Sequence, residues 1–374
     1  MFKLTKSQKD IQKAAREFAK GEFEKELAQE MEKNGVFPEK IWKKAAELGF
    51  LGIHIPDKYS GGSMGIFENG LVAEEFAQKD STIACAIMLS GFASESILAF
   101  GSNDMKDIYL PKICEGQILC SALFDEYENN FDNIETKAYE KNGNFVINGT
   151  KTYAVNGMLA DLYIVLCNTG DEKNNLSMIL VESNRDGIVK KDSGHKLGMN
   201  MCSLADISFN NVTVPVSNLI GKMGNGYKQM IYFLSQARIL LAFLSSGIAM
   251  GAFDRCLKYV KSREQFGRQL INFQITQHKI ADMVSKIQYS RLLNYDSAIK
   301  FDRSGADIKQ ASIAKLVSSQ IAVEVSDEAI QLFGGYGYMT EYDVERYYRD
   351  AKHLEIFCGN KHLLKDTIGQ TFIK

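Results

Sequence analysis

Near the carboxy terminus the chain reads EIFCGNKH, Glu355 to His362, with a cysteine between an aromatic residue and a glycine. A cysteine acts as nucleophile or base only as its thiolate, and a free thiol ionises near a pKa of about 8.5. Cys358 is therefore a candidate catalytic group whose role its surroundings must decide. The other six of the seven cysteines, at 85, 114, 120, 167, 202 and 256, form no CxxC pair and no zinc-like spacing. They read as small buried hydrophobes in a reducing cytoplasm. None of the five histidines, at 54, 195, 278, 353 and 362, pairs with another at i, i+4, so no metal site is expected. Arg263 and Arg268 flank EQFG near an expected helix end, where they read as solvated charge. The glycines of FGGYGY (333–338) let backbone amides approach a phosphate, or simply make a tight turn. GKMGNGY (221–227) lacks the preceding strand of a dinucleotide fingerprint and reads as a turn into a helix.

These groups need elements to position them. Thr5 to Gln8 has capping-box form, and the first 110 or so residues are helical in pattern. Between about 118 and 222 the period shortens. GNFVINGTKTYAVNG, DLYIVLCN, LSMILVES and ADISFNNVTVP are β-rich runs separated by Asn-Gly and Asn-Asn turns. No proline follows Pro215, and Ile280, Met283, Val284 and Ile287 repeat at helical spacing, as do Ile313, Leu316, Val317 and Ile321. Breaks are expected near 266–273, 302–307 and 333–338. The expectation is a mainly α protein with a β domain. It comprises an amino-terminal helical domain (1–117), a middle β-barrel or sandwich domain (118–222) and a carboxy-terminal helical bundle (223–374).

A chain of 374 residues exceeds one ordinary core, and 45% apolar with 24% charged residues describes a globular protein. The net charge of −2 gives no pull toward nucleic acid or a membrane surface, so any phosphate must be held locally. No signal peptide or membrane span is expected. The longest apolar stretch, around ILLAFLSSGIAMGAF, reads as a buried helix. A cytoplasmic location follows as the expectation.

The order of segments resembles one family along nearly the whole chain, the flavin-dependent acyl-CoA dehydrogenases. The resembling stretches include IPDKYSGG, LPKICEGQ, VINGTKTYAVNGMLAD, KLGMNMCSLADISFNNVTVPVSNLIG, KSREQFGRQLINFQITQHKIADM, AIQLFGGYGYMTEYDVERYYRDAKH and IFCGN. The resemblance implies a helical domain, a β domain and a four-helix bundle, binding FAD with its ADP part reaching across a subunit interface in a homotetramer or homodimer. It implies that Arg263 and Phe266 hold the pyrophosphate and adenine side, and that Gln274, Gln331, Gly334 and Gly335 are the neighbouring subunit's contribution. Tyr153 and Val155 match positions that meet the isoalloxazine ring, while Asn360 and His362 match the segment that touches FAD. Arg238, Phe357 and Gly359 match positions near the substrate. The implied substrate is an acyl thioester on coenzyme A or an acyl carrier protein, and the default electron partner is an electron-transferring flavoprotein.

Two departures mark this chain as atypical. The family removes the α-proton with a glutamate placed just before the glycine of EIFCGN, and Cys358 stands there. Some members carry the base immediately before the arginine matching Arg238, and here that residue is Ala237. The loop that lines flavin and thioester is replaced by LFDEYENNFD (123–132), made acidic by Asp125, Glu126, Glu128 and Asp132. A positioned general base supplies roughly 10²–10⁴-fold, so its loss bears directly on activity. The first expectation is an atypical α,β-dehydrogenation with an altered base. Cys358 is either the proton acceptor or a small residue that reshapes the pocket, and Glu95, Asp125 and Glu126 are the other candidate acceptors. The alternatives are flavin-dependent reduction of an unsaturated thioester, or a catalytically degenerate homologue serving as an assembly partner.

Overall fold

The computed structural model describes residues 3–127, 134–170 and 175–373. Seven helices open the chain: α1 (Lys6–Glu22), α2 (Lys25–Asn34), α3 (Glu39–Glu47), α4 (Ile66–Lys79), α5 (Ser81–Met88), α6 (Ser94–Phe100) and α7 (Asn103–Cys114). The capping box forms as the sequence requires. The Gln8 amide donates to Thr5 Oγ1 (3.2 Å) and the Thr5 amide to Gln8 Oε1 (2.9 Å).

Among the described residues eight strands follow: β1 (Cys120–Leu123), β2 (Lys137–Lys141), β3 (Asn144–Val155), β4 (Leu162–Asn168), β5 (Leu176–Glu182), β6 (Ile188–Asp192), β7 (Leu204–Pro215) and β8 (Leu219–Ile220). They pair in the order β6-β7-β3-β2-β4-β5-β8, with β1 parallel beside β4. Among the described residues only Lys137 and Asn168 join β2 to β4, so the sheet hinges there into two leaves. Phe145, Ile147, Tyr163, Val165, Ile179, Ile207 and Phe209 fill the space between the leaves, which makes a sandwich. The β4–β5 leaf is buried on both faces. Tyr163, Val165 and Cys167 point into the sandwich, while Leu162, Ile164 and Leu166 join the helical core. Its apolar run therefore shows no alternation.

The last third is helical: α8 (Gly226–Ser262), a hairpin of β9 (Glu264–Gln265) and β10 (Arg268–Gln269), α9 (Gln274–Ser304), α10 (Ile308–Phe333), α11 (Val344–Ile356) and α12 (Lys361–Gln370). The expected breaks become the hairpin, the Gly305 turn and a 3₁₀ turn over Gly334–Tyr338. α8 is the one described helix long and apolar enough to cross a membrane, and 94% of its most apolar window is buried in the protein. Gly247 and Gly251 let α4 and α11 press against it. A Cβ at Gly247 would meet the Glu74 carbonyl at 2.4 Å, and one at Gly251 the Tyr347 ring at 2.3 Å.

α11 carries the residues of interest, and buried ion pairs hold it in place. Arg346 bonds to Asp80, the N-cap of α5, and to Asp343, and all three side chains are nearly inaccessible. Asp350 accepts the Ser81 and Thr82 hydroxyls and the Met199 amide, joining α11 to α5 and to the segment before β7. Paired buried charges such as Arg346 with Asp80 and Asp343 fix geometry at little net gain in stability.

Candidate active site

A cavity of about 450 Å³ opens where the three regions meet. Phe92 and Phe124 border it together with Phe233 and Leu234 of α8, Tyr153 of β3 and Leu204 of β7; α11 and the residues after it supply His353, Ile356, Phe357, Cys358, Gly359 and Asn360. Asp125 adds a carboxylate to this mostly apolar wall. A wider acidic groove of about 970 Å³ near α2 and α3 holds none of the residues that sequence reasoning singled out.

α11 ends at Ile356, and Cys358 follows with φ of 55°, a left-handed conformation that bends the chain before α12. Two buried cations clamp this bend. Arg238 Nε donates to the Cys358 carbonyl (3.1 Å) and Nη1 to Ser312 Oγ (2.8 Å). Lys315 Nζ donates to the carbonyls of Glu355 (3.0 Å) and Gly359 (2.7 Å). Neither cation has an ion-pair partner among the described residues. Burial lowers Lys315 to a pKa of about 7 and Arg238 to about 10. The Asn360 side chain then caps α12, accepting from the His362 and Leu363 amides (3.0 and 3.1 Å).

The same surroundings set the thiol. Burial, reinforced by Asp125, pushes Cys358 up to a pKa of about 12, against the opposing pull of Lys315 and Arg238. At neutral pH it is a protonated thiol.

Of the three candidate carboxylates, the structure brings one to the cavity. Glu126 is occupied structurally: it accepts from Lys151 Nζ (2.7 Å), the Thr136 hydroxyl (2.7 Å) and the Glu135 amide (2.7 Å). Glu95 lies in the core with His54, whose Nε2 is 3.7 Å away. Asp125 lines the cavity beside Cys358. Glu128 and Asp132 lie outside the described residues.

The other expected residues fall into two places. Tyr153, Phe357, Cys358, Gly359 and Asn360 meet at the cavity, but Val155 is buried beside it, its carbonyl accepting from Ser121 Oγ (2.7 Å). Arg238 lies beneath the cavity, and Ala237 is buried within α8. His362 is exposed on α12. Arg263, Phe266, Gln274, Gln331, Gly334 and Gly335 lie instead around the hairpin and the ends of α9 and α10. There the Arg263 guanidinium lies 5.6 Å from the centre of the Tyr336 ring, and Phe266 projects 93% exposed with φ of 55°. A Cβ at Gly334 or Gly335 would meet nothing within 4 Å. The Arg263 guanidinium, without an ion-pair partner among the described residues, and the open Phe266 face suit a dinucleotide's phosphates and adenine, and the Gly334–Gly335 turn leaves space for a phosphate to approach. The residues present thus fit FAD.

Sequence reasoning gave no role to Lys315 or His353. A lysine inside the apolar stripe of α10 and a histidine one turn before Phe357 were the available signals.

The comparisons agree with this geometry. The acyl-CoA dehydrogenase N-terminal, middle and C-terminal domain patterns match residues 5–117, 128–212 and 224–373. Subunit CarC of the caffeyl-CoA reductase-Etf complex from Acetobacterium woodii is 32% identical, with 99% of each chain covered. Butyryl-CoA dehydrogenase from Megasphaera elsdenii superposes with a TM-score of 0.95 at 30% identity, covering 100% of both chains. A glutaryl-CoA dehydrogenase from Mycobacterium smegmatis, solved with FADH2, gives 0.93 at 25% identity, covering 99% of this chain and 95% of its own. The chain belongs to the acyl-CoA dehydrogenase family of FAD flavoproteins.

Proposed function

We propose that this protein is an FAD-dependent oxidoreductase that moves hydrogen across the α,β bond of an acyl thioester, and that it works in the reductive direction. The observation that carries the direction is the Cys358 thiol on the cavity wall, which burial keeps as a proton donor, where the resemblance places the family's base. When bound, FAD exchanges a hydride with the β-carbon. Cys358 Sγ–H donates its proton to the α-carbon of an unsaturated thioester as the new C–H bond forms. The thiolate left behind sits near Arg238, whose positive charge, joined by that of Lys315 when it is protonated, stabilises it until water returns a proton. In the opposite direction the same sulfur would have to start as thiolate. With a pKa of about 12 that form is about one part in 10⁵ at pH 7. Phe92, Phe233 and Phe357 give the acyl group an apolar wall.

The Arg263–Phe266 hairpin holds the cofactor's diphosphate and adenine, with Gln274, Gln331, Gly334 and Gly335 serving a neighbouring copy. Exposed Phe266, Ile275, Tyr338 and Met339 around that region support a homotetramer or homodimer. The thioester is carried on coenzyme A or an acyl carrier protein, and a soluble electron-transferring flavoprotein supplies electrons, as the CarC relative's complex supports. Free thiols at all seven cysteines fit a cytoplasmic setting.

The test is spectroscopic. Photoreduced FAD-loaded protein, mixed anaerobically with crotonyl-CoA, is expected to regain its yellow colour. Oxidised protein mixed with butyryl-CoA is expected to bleach far more slowly. Rapid bleaching by butyryl-CoA without reoxidation by crotonyl-CoA would reverse the assignment.

A further inference from the structure

His353 lines the cavity, and the reaction as described does not use it. Its ring stacks on Phe357, with centroids 5.4 Å apart and planes 25° from parallel. Its Nε2 is shielded from solvent and has no hydrogen-bond partner among the described residues. A buried ring nitrogen left this way costs free energy that a ligand atom recovers on binding. His353 and Ile356 are three residues apart on α11 and so share a face. Both border the cavity along with Asn360, and Tyr153 and Leu204 of the sheet domain complete that part of the wall.

The charged surroundings favour an electron-rich neighbour. Burial first, then Lys196 before β7 and Lys315 on α10, lower the His353 pKa to about 4, so its imidazole is neutral at physiological pH. Cys358 and Asp125 are the other acid–base groups on the same wall, together with the phenol of Tyr153.

We propose that His353 is a cofactor-contacting residue: its neutral imidazole, protonated on Nε2, donates a hydrogen bond to the polar edge of the FAD ring and stabilises the reduced cofactor over the oxidised one. The proposal rests on the flavin reading above. A hydrogen bond strengthens as its acceptor gains negative charge, so the donor favours the electron-rich state. This histidine then sets how readily the loaded protein is reduced, while Cys358 handles the proton.

The experiment uses FAD-loaded wild type, His353→Leu and His353→Gln, titrated anaerobically against a reference dye with no thioester present. Visible spectra are recorded alongside. His353→Leu is expected to shift the reduced-to-oxidised ratio at fixed solution potential at least tenfold toward oxidised, 29.6 mV for two electrons. Its flavin band should change shape as well. His353→Gln, which keeps an N–H donor, should remain within about threefold of wild type. If His353→Leu does not accumulate, His353→Met takes its place with the same readouts. A folded, FAD-saturated leucine or methionine variant with a wild-type spectrum and a ratio within twofold overturns the proposal. Equal losses in the apolar and glutamine variants, with matching drops in thermal stability, reduce His353 to packing and also overturn it. Wild type that takes up no FAD overturns the flavin reading itself, and this inference with it.

Discussion

If Cys358 is the proton carrier, the two directions of reaction must respond to pH in opposite ways. Its thiol is pushed up to a pKa of about 12. Removing an α-proton requires the thiolate, whose population at pH 7 is roughly 10⁻⁵, equivalent to about 7 kcal/mol at 1.36 kcal/mol per unit. Bleaching of oxidised FAD by a saturated thioester should therefore rise about tenfold per pH unit from 6 to 9, with no plateau. Reoxidation of reduced FAD by an enoyl thioester needs the protonated thiol, which is present throughout that range, and should be flat. Cys358→Glu supplies a carboxylate beside Arg238 and Lys315. It should make bleaching faster at pH 7 by roughly 10²–10⁴-fold and nearly independent of pH above 7. Anaerobic stopped-flow absorbance of the FAD-loaded protein measures both half-reactions. Wild-type bleaching that plateaus near neutrality would refute the reasoning, because another group, such as Asp125, would then be accepting the proton.

Lys151, 0% exposed and paired with Glu126, should be costly to remove alone. Lys151→Met should destabilise by roughly 3–5 kcal/mol in urea unfolding, and a further Glu126→Met should restore much of that. Arg263→Ala should weaken FAD binding at least tenfold, read by flavin fluorescence quenching, while leaving the thermal midpoint of the FAD-free protein unchanged. His54 is lowered by burial to a pKa of about 4, so the stability tied to its neutral form is present above pH 6.5 and lost as pH falls toward 4. His54→Leu should therefore gain about 3 kcal/mol relative to wild type between pH 7 and pH 4, measured by denaturant titration at each pH.

Much of the architecture was legible because it rests on local chemistry. The Thr5 cap, the proline-free stretch after Pro215 and the glycine breaks at 305 and 334 act through neighbouring residues, and helices begin and end there. β4 and β5 could be recognised as strands. Their burial on both faces could not, since it depends on a helical core that the strands themselves do not encode. Short pieces such as β1, β8 and the β9–β10 hairpin exist only because longer elements offer them an edge or a tight turn.

The site divides in the same way. Residue type alone determined that position 358 holds a sulfur, while it was the resemblance that pointed to Arg263, Phe266 and the glycines of FGGYGY as the candidates for a phosphate-bearing cofactor. Only the tertiary structure decided which acids matter. Asp125 and Glu126 are adjacent in the chain, yet one faces the cavity and the other is bound to a buried lysine. Only the tertiary structure, too, placed Lys315 and Arg238 under the Cys358 backbone and left His353 against the cavity with a nitrogen that has no partner among the described residues. Protonation follows solvation and the charges nearby in space, and those neighbours come from α8, α10 and the β1–β2 connection, segments remote in sequence from residue 358. The sulfur at position 358 was therefore set by the sequence, and its surroundings by the fold.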